Sequence, residues 1–330
     1  MAFLQRIKFP DLFSDKQCQK TAFAAAGFMT CSSMMLVVNK LAITYFTAAS
    51  HLLFMQLAFN ALVIAVAGQI GMLSLSDLTV KKSFSYLGVS LCFLAALFTN
   101  IKILQHTNME TFIVFRSATP IIISLLDYIF LGREAPSRRS CAALLGLLLG
   151  STVYVKTDAH FSVMGYTWIT CWIFVFSFDQ IYIKHVVNEV KLSSWSRSCV
   201  TNLFSLVPLL LAMVMSDERK YVRSYKWDLN GILFVGLSCL VGTFMSVSSF
   251  HLRSMVSATS FTVIGTVCKI LSVLMNYFMW DQHASHSGIG ALLFCVLSAA
   301  LYQQAPLQKS RLDNKMNVQL CTVSPRIQDA

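Results

Sequence analysis

TFIVFRSATPIIISLLDYIFL, residues 111–131, and SFTVIGTVCKILSVLMNYFMW, residues 260–280, are the two stretches that decide the fold. They align without a gap at an offset of 149, with Phe112/Phe261, Val114/Val263, Ile121/Ile270, Leu125/Leu274 and Tyr128/Tyr277 identical. Each is apolar over the roughly 20 residues that an α-helix needs to cross hydrocarbon. Each also carries one cation, Arg116 or Lys269. Identities between apolar helices arise often by chance, so the pairing gains its weight from where the two stretches fall in the chain.

Working outward, further apolar runs fall near residues 21–39, 49–72, 83–104, 139–156, 162–183, 198–216, 231–252 and 287–305. With 109–131 and 256–280 they make ten predicted spans, the paired stretches being spans 4 and 9. An offset of five spans is what a five-plus-five duplication requires, and five being odd, the halves run in opposite directions. The sequence therefore predicts an all-α polytopic membrane protein of ten transmembrane helices in two inverted five-helix repeats. Its parts are an N-terminal tail (1–20), a first repeat (21–156), a second repeat (162–305) and a C-terminal tail (306–330).

Composition agrees. At 56% hydrophobic and 12% charged residues, the 330-residue chain has too little polar surface to cover a soluble globule. A net charge of +11 would point to nucleic acid in a soluble protein. Here the basic residues are dispersed over loops and tails without an aromatic-interleaved basic face, so no nucleic-acid partner is expected. Most of the ten cysteines lie inside apolar runs, where a free thiol behaves as a small hydrophobe, and no disulfide framework is implied. The first 20 residues lack a signal-peptide cleavage pattern and a presequence composition, leaving the first span as signal anchor. On the predicted map, with the span-end residues Lys102, Arg139 and Lys156 counted with the adjoining loops, 17 Lys and Arg fall on the side of both tails, 7 on the other and 2, Arg116 and Lys269, deep within spans, so both termini are expected in the cytosol.

Arg116 and Lys269 are the ionisable residues deepest in apolar sequence, and charges at such depth normally face a wet cavity or a partner. Arg116 lies about 10 Å past the start of span 4 and Lys269 about 16 Å before the end of span 9, at the helical rise. Opposed helix directions bring them to nearly one depth. The acids Glu110, Asp127 and Asp179 all lie near span ends, which favours an anionic ligand over a structural ion pair. A diphosphate would place two negative charges opposite two positive ones, with arginine forking onto oxygens and lysine acting as a point charge. An empty pocket would leave both cations unpaired, which points to reorientation with an anion aboard and hence exchange.

Other features read more plainly. Thr107–Glu110 matches a capping box, so Glu110 is read as a cap. Gly146 and Gly150 permit close helix approach on span 5, within the chain or across a homodimer. Residues 117–120, ending in Pro120, are expected to loosen span 4 beside a cavity. No phosphate loop, nucleophile elbow or metal-spaced cluster occurs; His283 and His286 near Asp281 read as a solvated loop, and neither enzyme chemistry, a metal nor a cofactor is predicted.

Several motifs carry a family resemblance: Asn39-Lys-Leu-Ala-Ile-Thr-Tyr-Phe46; Phe98-Thr-Asn100 with Thr111-Phe-Ile-Val-Phe-Arg-Ser117; Tyr182-Ile-Lys-His-Val186; Ser257-Ala-Thr-Ser-Phe-Thr-Val263; Trp280-Asp281; and Tyr302-Gln-Gln304. Over about residues 25–305 the chain resembles the plant Golgi GDP-sugar transporters, within the nucleotide-sugar group of the drug/metabolite transporter superfamily. The resemblance implies antiport of a cytosolic GDP-sugar (GDP-fucose, GDP-galactose or GDP-mannose) against lumenal GMP across the Golgi membrane. The family's Gly-x-x-Asn-Lys motif maps onto Gly265–Lys269, with Cys268 where the family has Asn. Its paired-Asn motif, linked to the guanine base, maps onto Thr201 and Asn202, the first Asn being replaced. Both departures remove an amide that donates and accepts together, which loosens the expected readout of base and sugar.

The candidate substrate-binding set is thus Asn39 and Lys40 on span 1; Thr111, Phe115 and Arg116 on span 4; Thr201 and Asn202 on span 7; and Gly265, Thr266, Cys268 and Lys269 on span 9. Partners are a nucleotide sugar, a nucleoside monophosphate counter-substrate and membrane lipid. Competing readings are an organic-phosphate or UDP-sugar exchanger of the same superfamily, a membrane transferase, and a non-transporting scaffold. A transferase would need acidic metal-binding loops, which the sequence lacks, and a scaffold would tolerate loss of both cations.

Overall fold

In hydrocarbon a backbone must satisfy its own amides, and long apolar runs do so as helices. The computed structural model describes residues 16–75, 77–106, 109–155, 163–215, 218–279 and 286–307. They form α1 (Lys16–Tyr45), α2 (Ala49–Gln69), α3 (Val80–Ser85), α4 (Leu87–His106), α5 (Met109–Phe130), α6 (Arg138–Val155), α7 (Val163–Glu189), α8 (Ser194–Met215), α9 (Glu218–Ser224), α10 (Leu229–Met255), α11 (Ala258–Met279) and α12 (His286–Ala300). Among the described residues, four helical stretches, Gln19–Tyr45, Ala49–Gln69, Val80–Asn100 and Leu229–Met255, are long and apolar enough to cross a membrane. Large apolar side chains also face outward on other helices, among them Phe174 (73% exposed), Val207 (67%) and Leu297 (67%). Surface of this kind needs lipid as its solvent, and the chain is a multi-pass membrane protein.

The longer helices fall on the predicted apolar runs, with local differences. The third run is broken at Tyr86, which is fully buried and packs edge-on to Phe250 at 6.4 Å between centroids. The helix of the sixth run continues to Glu189, six residues past the predicted span end, and so takes in the buried Lys184. The loop after the seventh run contains α9.

The helices assemble into two compact units that differ from the two halves of the sequence. Unit 1 comprises residues up to Leu94 together with Val187–Val256; unit 2 comprises Ala95–Val186 together with the chain from Ser257. In unit 1, α10 packs on α1, α2 and α8, and α2 packs on α8. Its core joins Ala42, Phe46, Ala48 and Leu52 to Val235 and Cys239. Phe46 is ringed by Tyr221, Tyr225 and Trp227 at 6.0, 5.1 and 5.2 Å, the aromatic composition typical of a membrane–water boundary. Glu218 on α9 accepts the Ser50 N–H (3.1 Å) and faces His51 Nδ1 (3.2 Å), tying α9 to the start of α2.

In unit 2, α5 packs on α6 and α11, while α12 packs on α6 and α11. Gly146 and Gly150 make the α6–α12 contact close. A Cβ at Gly146 would stand 2.5 Å from Ser298 Oγ, and one at Gly150 would stand 2.5 Å from Cys295 Sγ and 3.1 Å from the Ala291 carbonyl. The glycine face is thus filled by the chain's own α12. Leu144, Leu147, Val263, Ile270, Cys295 and Ala299 form the adjoining core.

Three helices start at a Ser-x-x-Ser pair that the sequence analysis did not single out. Ser140, Ser196 and Ser260 donate their N–H groups to the hydroxyls of Ser137, Ser193 and Ser257, at 3.2, 3.1 and 3.0 Å. These bonds satisfy orphan amides at the starts of α6, α8 and α11. A distant chain segment completes each cap. Ser140 Oγ donates to the Gln303 carbonyl (2.8 Å) and Ser196 Oγ to Asp77 (2.8 Å), while Gln304 Oε1 accepts from Ser257 N (2.9 Å) and Ser260 Oγ (3.0 Å).

At the start of α11, Asp127 adds a second cap, its Oδ2 accepting from Thr259 N (2.9 Å) and Thr259 Oγ1 (2.5 Å). Gly132, at φ +60°, turns the chain out of α5, and the Arg133 N–H reaches back to the Asp127 carbonyl at 3.3 Å. Burial lowers the Arg133 pKa, opposed by the charges of Asp127 and Tyr302, and its Nη1 donates to the Ala305 carbonyl at 2.6 Å. Asp127→Ala is expected to cost about 1–3 kcal/mol, since it leaves two buried donors of Thr259 without an acceptor. A fall in the unfolding temperature of the purified protein is the readout.

Candidate functional site

Arg116 sits near the middle of α5, and Pro120 follows one turn later. A proline has no N–H, so the carbonyl four residues before it, that of Arg116, loses its helical donor. Thr119 replaces it: the buried Thr119 Oγ1 donates to the Arg116 carbonyl at 2.7 Å. Residues 117–120 were expected to loosen the helix; α5 runs unbroken through them, and the carbonyl that Pro120 leaves without a helical donor is taken up by this hydroxyl.

The Arg116 guanidinium lies against two aromatic rings of α7, 5.8 Å from the Trp172 ring centre and 5.3 Å from that of Phe176. Those rings stack on each other at 4.6 Å and 13°. Phe115, the preceding residue, meets Tyr166 edge-on at 5.6 Å. Among the described residues no carboxylate forms an ion pair with Arg116; the ion pair found there is His51–Glu218. Asp127, which the sequence left as a candidate neutraliser, is instead engaged at the start of α11. Asp179 accepts from Gln180 Nε2 at 2.9 Å.

Helix α11 packs along α5, and its Cys268 is fully buried. Gly265 has open space around it, since an added Cβ would meet nothing within 4 Å. Thr266 is 2% exposed, and its hydroxyl donates to the Thr262 carbonyl at 2.9 Å, so it is spent within the helix. Lys269 continues the α11 helix, four residues after Gly265 and therefore on the same face. The side chains of Lys269, Lys40, Thr111 and Glu110 lie outside the described residues, as do the backbone and side chains of Thr107, Asn108, Asp281 and His283.

The remaining candidates belong to unit 1, where they join a buried polar layer. Asn39 Oδ1 accepts from Gln56 Nε2 (2.9 Å), and Gln56 also donates to Ser238 Oγ (3.2 Å). One turn on, Asn60 Oδ1 accepts from Ser198 Oγ (3.2 Å). Ser198 meets Ser246 Oγ at 2.7 Å, and Asn202 Nδ2 donates to Ser246 at 3.3 Å. Thr201 is 5% exposed; its carbonyl accepts from Ser90 and Ser205, while its own hydroxyl and Asn60 Nδ2 have no partner among the described residues.

Sequence reasoning passed over Gln56, Asn60, Ser198 and Ser246. The polar pair Gln56/Asn60, four apart in an apolar run, was the available signal, because two amides on one helix face must find partners inside a membrane protein. It also passed over Arg197, buried at 6% exposure, whose Nη2 donates to the Val187 carbonyl at 3.1 Å.

Comparison with protein-family models finds no match. Among curated proteins, GDP-fucose transporter 1 of Arabidopsis thaliana is 34% identical over 299 residues, which span 88% of this chain and 87% of that protein. The chain belongs to the plant GDP-sugar transporter family. GDP-mannose transporter GONST3 of the same plant is also 34% identical, across 86% of this chain and 78% of its own length. A solved crystal structure superposes with a TM-score of 0.64 at 16% identity, over 86% of this chain and 96% of the other, a likeness of fold alone. The relatives that show this family are named transporters and not enzymes.

Proposed function

We propose that the chain is a nucleotide-sugar antiporter of the Golgi membrane, importing GDP-fucose, GDP-galactose or GDP-mannose in exchange for GMP by alternating access. In this reading all ten long helices cross the bilayer as two inverted five-helix repeats, with both termini in the cytosol. The observation that carries it is Arg116: a cation in the middle of a membrane helix, held over two aromatic rings without a described carboxylate partner. A charge left in this state is available to an anion that arrives and leaves. Lys269 on the neighbouring helix supplies the second positive charge in this proposal, and a pyrophosphate bridges the two. Asn39, Lys40, Thr111, Phe115, Thr201, Asn202, Gly265, Thr266 and Cys268 complete the proposed binding set. A homodimer, if one forms in the bilayer, uses a face other than the α12-filled Gly146/Gly150 stripe.

The test is uptake of labelled GDP-sugar into proteoliposomes. Preloading with GMP is expected to stimulate uptake several-fold over empty vesicles, and equal uptake into both would overturn obligatory exchange. A second reading, a shifted base preference, is favoured by Thr201 and Cys268 standing where the family has amides. Under it UMP or CMP would preload as well as GMP.

A further inference from the structure

Burying a guanidinium is costly, and proteins usually offset the cost with a carboxylate. That solution would be self-defeating in a site for anions, because the arginine would have to break a strong internal pair before each binding event. An aromatic face offers the alternative. Its quadrupole attracts the cation with a fraction of the strength of a buried ion pair and brings no competing negative charge. A guanidinium also carries all five N–H donors in its plane, at its edge. A ring lying over its face therefore fixes the group while leaving the edge able to fork onto phosphate oxygens.

The surroundings of Arg116 supply aromatic rings and no described carboxylate. Trp172 is 1% exposed and locked by Ile103 and Ile169, so its ring is a fixed surface. Phe176, one helical turn along α7, stacks on it at 4.6 Å, and both ring centres lie within 6 Å of the one guanidinium, at 5.8 and 5.3 Å. Phe115, adjacent to Arg116, packs against the same cluster. The carbonyl beneath the arginine is separately closed by Thr119, so the backbone at this point is held as well as the side chain.

We infer that Trp172 and Phe176 are positioning residues for substrate binding: a neutral cradle that holds the Arg116 guanidinium in place, without a competing carboxylate, for the diphosphate of the nucleotide sugar. This rests on the proposed role of Arg116 in exchange. The cradle acts through the arginine and not on base or sugar. Its loss should weaken all substrates that share the diphosphate by one common factor.

The experiment compares substitutions that keep a ring with substitutions that keep only bulk. Trp172→Phe and Phe176→Tyr retain an aromatic face; Trp172→Leu and Phe176→Leu fill similar space without a quadrupole. Thermal unfolding of each purified protein establishes that it is folded, and exchange kinetics are then read in GMP-loaded proteoliposomes. The leucine variants are expected to need about tenfold more GDP-sugar for half-maximal exchange, by the same factor for different GDP-sugars, with a smaller change in maximal rate. The aromatic variants should stay within about twofold of the parent. Equal behaviour of leucine and aromatic variants would reduce the two rings to packing and overturn the cradle. Arg116→Ala run in parallel separates the two ideas. If it exchanges normally, the role of Arg116 itself fails; if it is inactive while Trp172→Leu and Phe176→Leu are both unimpaired, the cradle alone fails.

Discussion

Arg116→Ala is expected to abolish exchange of GDP-sugar for GMP in proteoliposomes while leaving the protein folded. The reasoning is a balance of two environments. In the structure the guanidinium lies within 6 Å of the ring centres of Trp172 and Phe176, a weak stabilisation, so truncation removes a buried charge that no described carboxylate had been paired with. No opposite charge is orphaned, and the usual heavy cost of breaking a buried ion pair does not arise. On the proposed reading, the same truncation in the loaded carrier would remove charge-assisted, forked hydrogen bonds to phosphate, each about twice as strong as a neutral one. Function should therefore fall by orders of magnitude while the unfolding temperature moves by only a few degrees. Lys269→Ala should behave alike. Wild-type exchange in either variant would remove the physical basis of the proposed mechanism.

The second large effect is structural. Gly150→Leu is expected to prevent unit 2 from packing, giving aggregated or proteolysed protein instead of a purifiable carrier. Even a Cβ at this position would stand 2.5 Å from Cys295 Sγ and 3.1 Å from a backbone carbonyl of α12. Backbone cannot rotate aside as a flexible side chain can, so α12 must withdraw. Withdrawal also opens the core of Leu144, Leu147, Val263 and Cys295, which holds α11 in place. Gly150→Ala should already cost about 1–3 kcal/mol by overpacking. Size-exclusion profiles of the detergent-solubilised variants, ranked glycine, alanine, leucine, are the check; a monodisperse Gly150→Leu protein with parental stability would refute the account.

The substitution pair also separates two uses of small residues in membrane helices. A stripe such as Gly146/Gly150 reads from sequence as permission for close approach, without saying to what. The residue that fills the space at Gly150 is Cys295, far away in the sequence, and only folding shows that the stripe is filled from within the chain.

Much of the fold is written in local apolarity. A run of twenty residues without charge has few alternatives to a membrane helix, and the helices α2, α5, α6, α8 and α11 begin and end within a few residues of the runs that predict them. Apolarity is silent on pairing, however, because every such helix offers lipid and protein much the same surface. That α10 packs on α1, and α6 on α12, follows from side-chain fit that no periodicity encodes. The division into two compact units, each drawing helices from both halves of the sequence, arises at this level.

The site divides in the same way. Sequence alone marked Arg116, since a charge in the middle of an apolar run is expensive enough to demand a reason, and it marked Asn202 and Asn39 through family motifs. It misread the freedom of residues 117–120, because the Thr119 hydroxyl that repairs the proline gap does so only once the helix has formed. It assigned no task to Asp127, whose acceptors meet a threonine 132 positions away. And it could not name Trp172 and Phe176 as the partners of Arg116. Aromatic residues are abundant in any membrane helix, and the two that matter are distinguished by a distance across α5 and α7, which is a property of packing and not of composition.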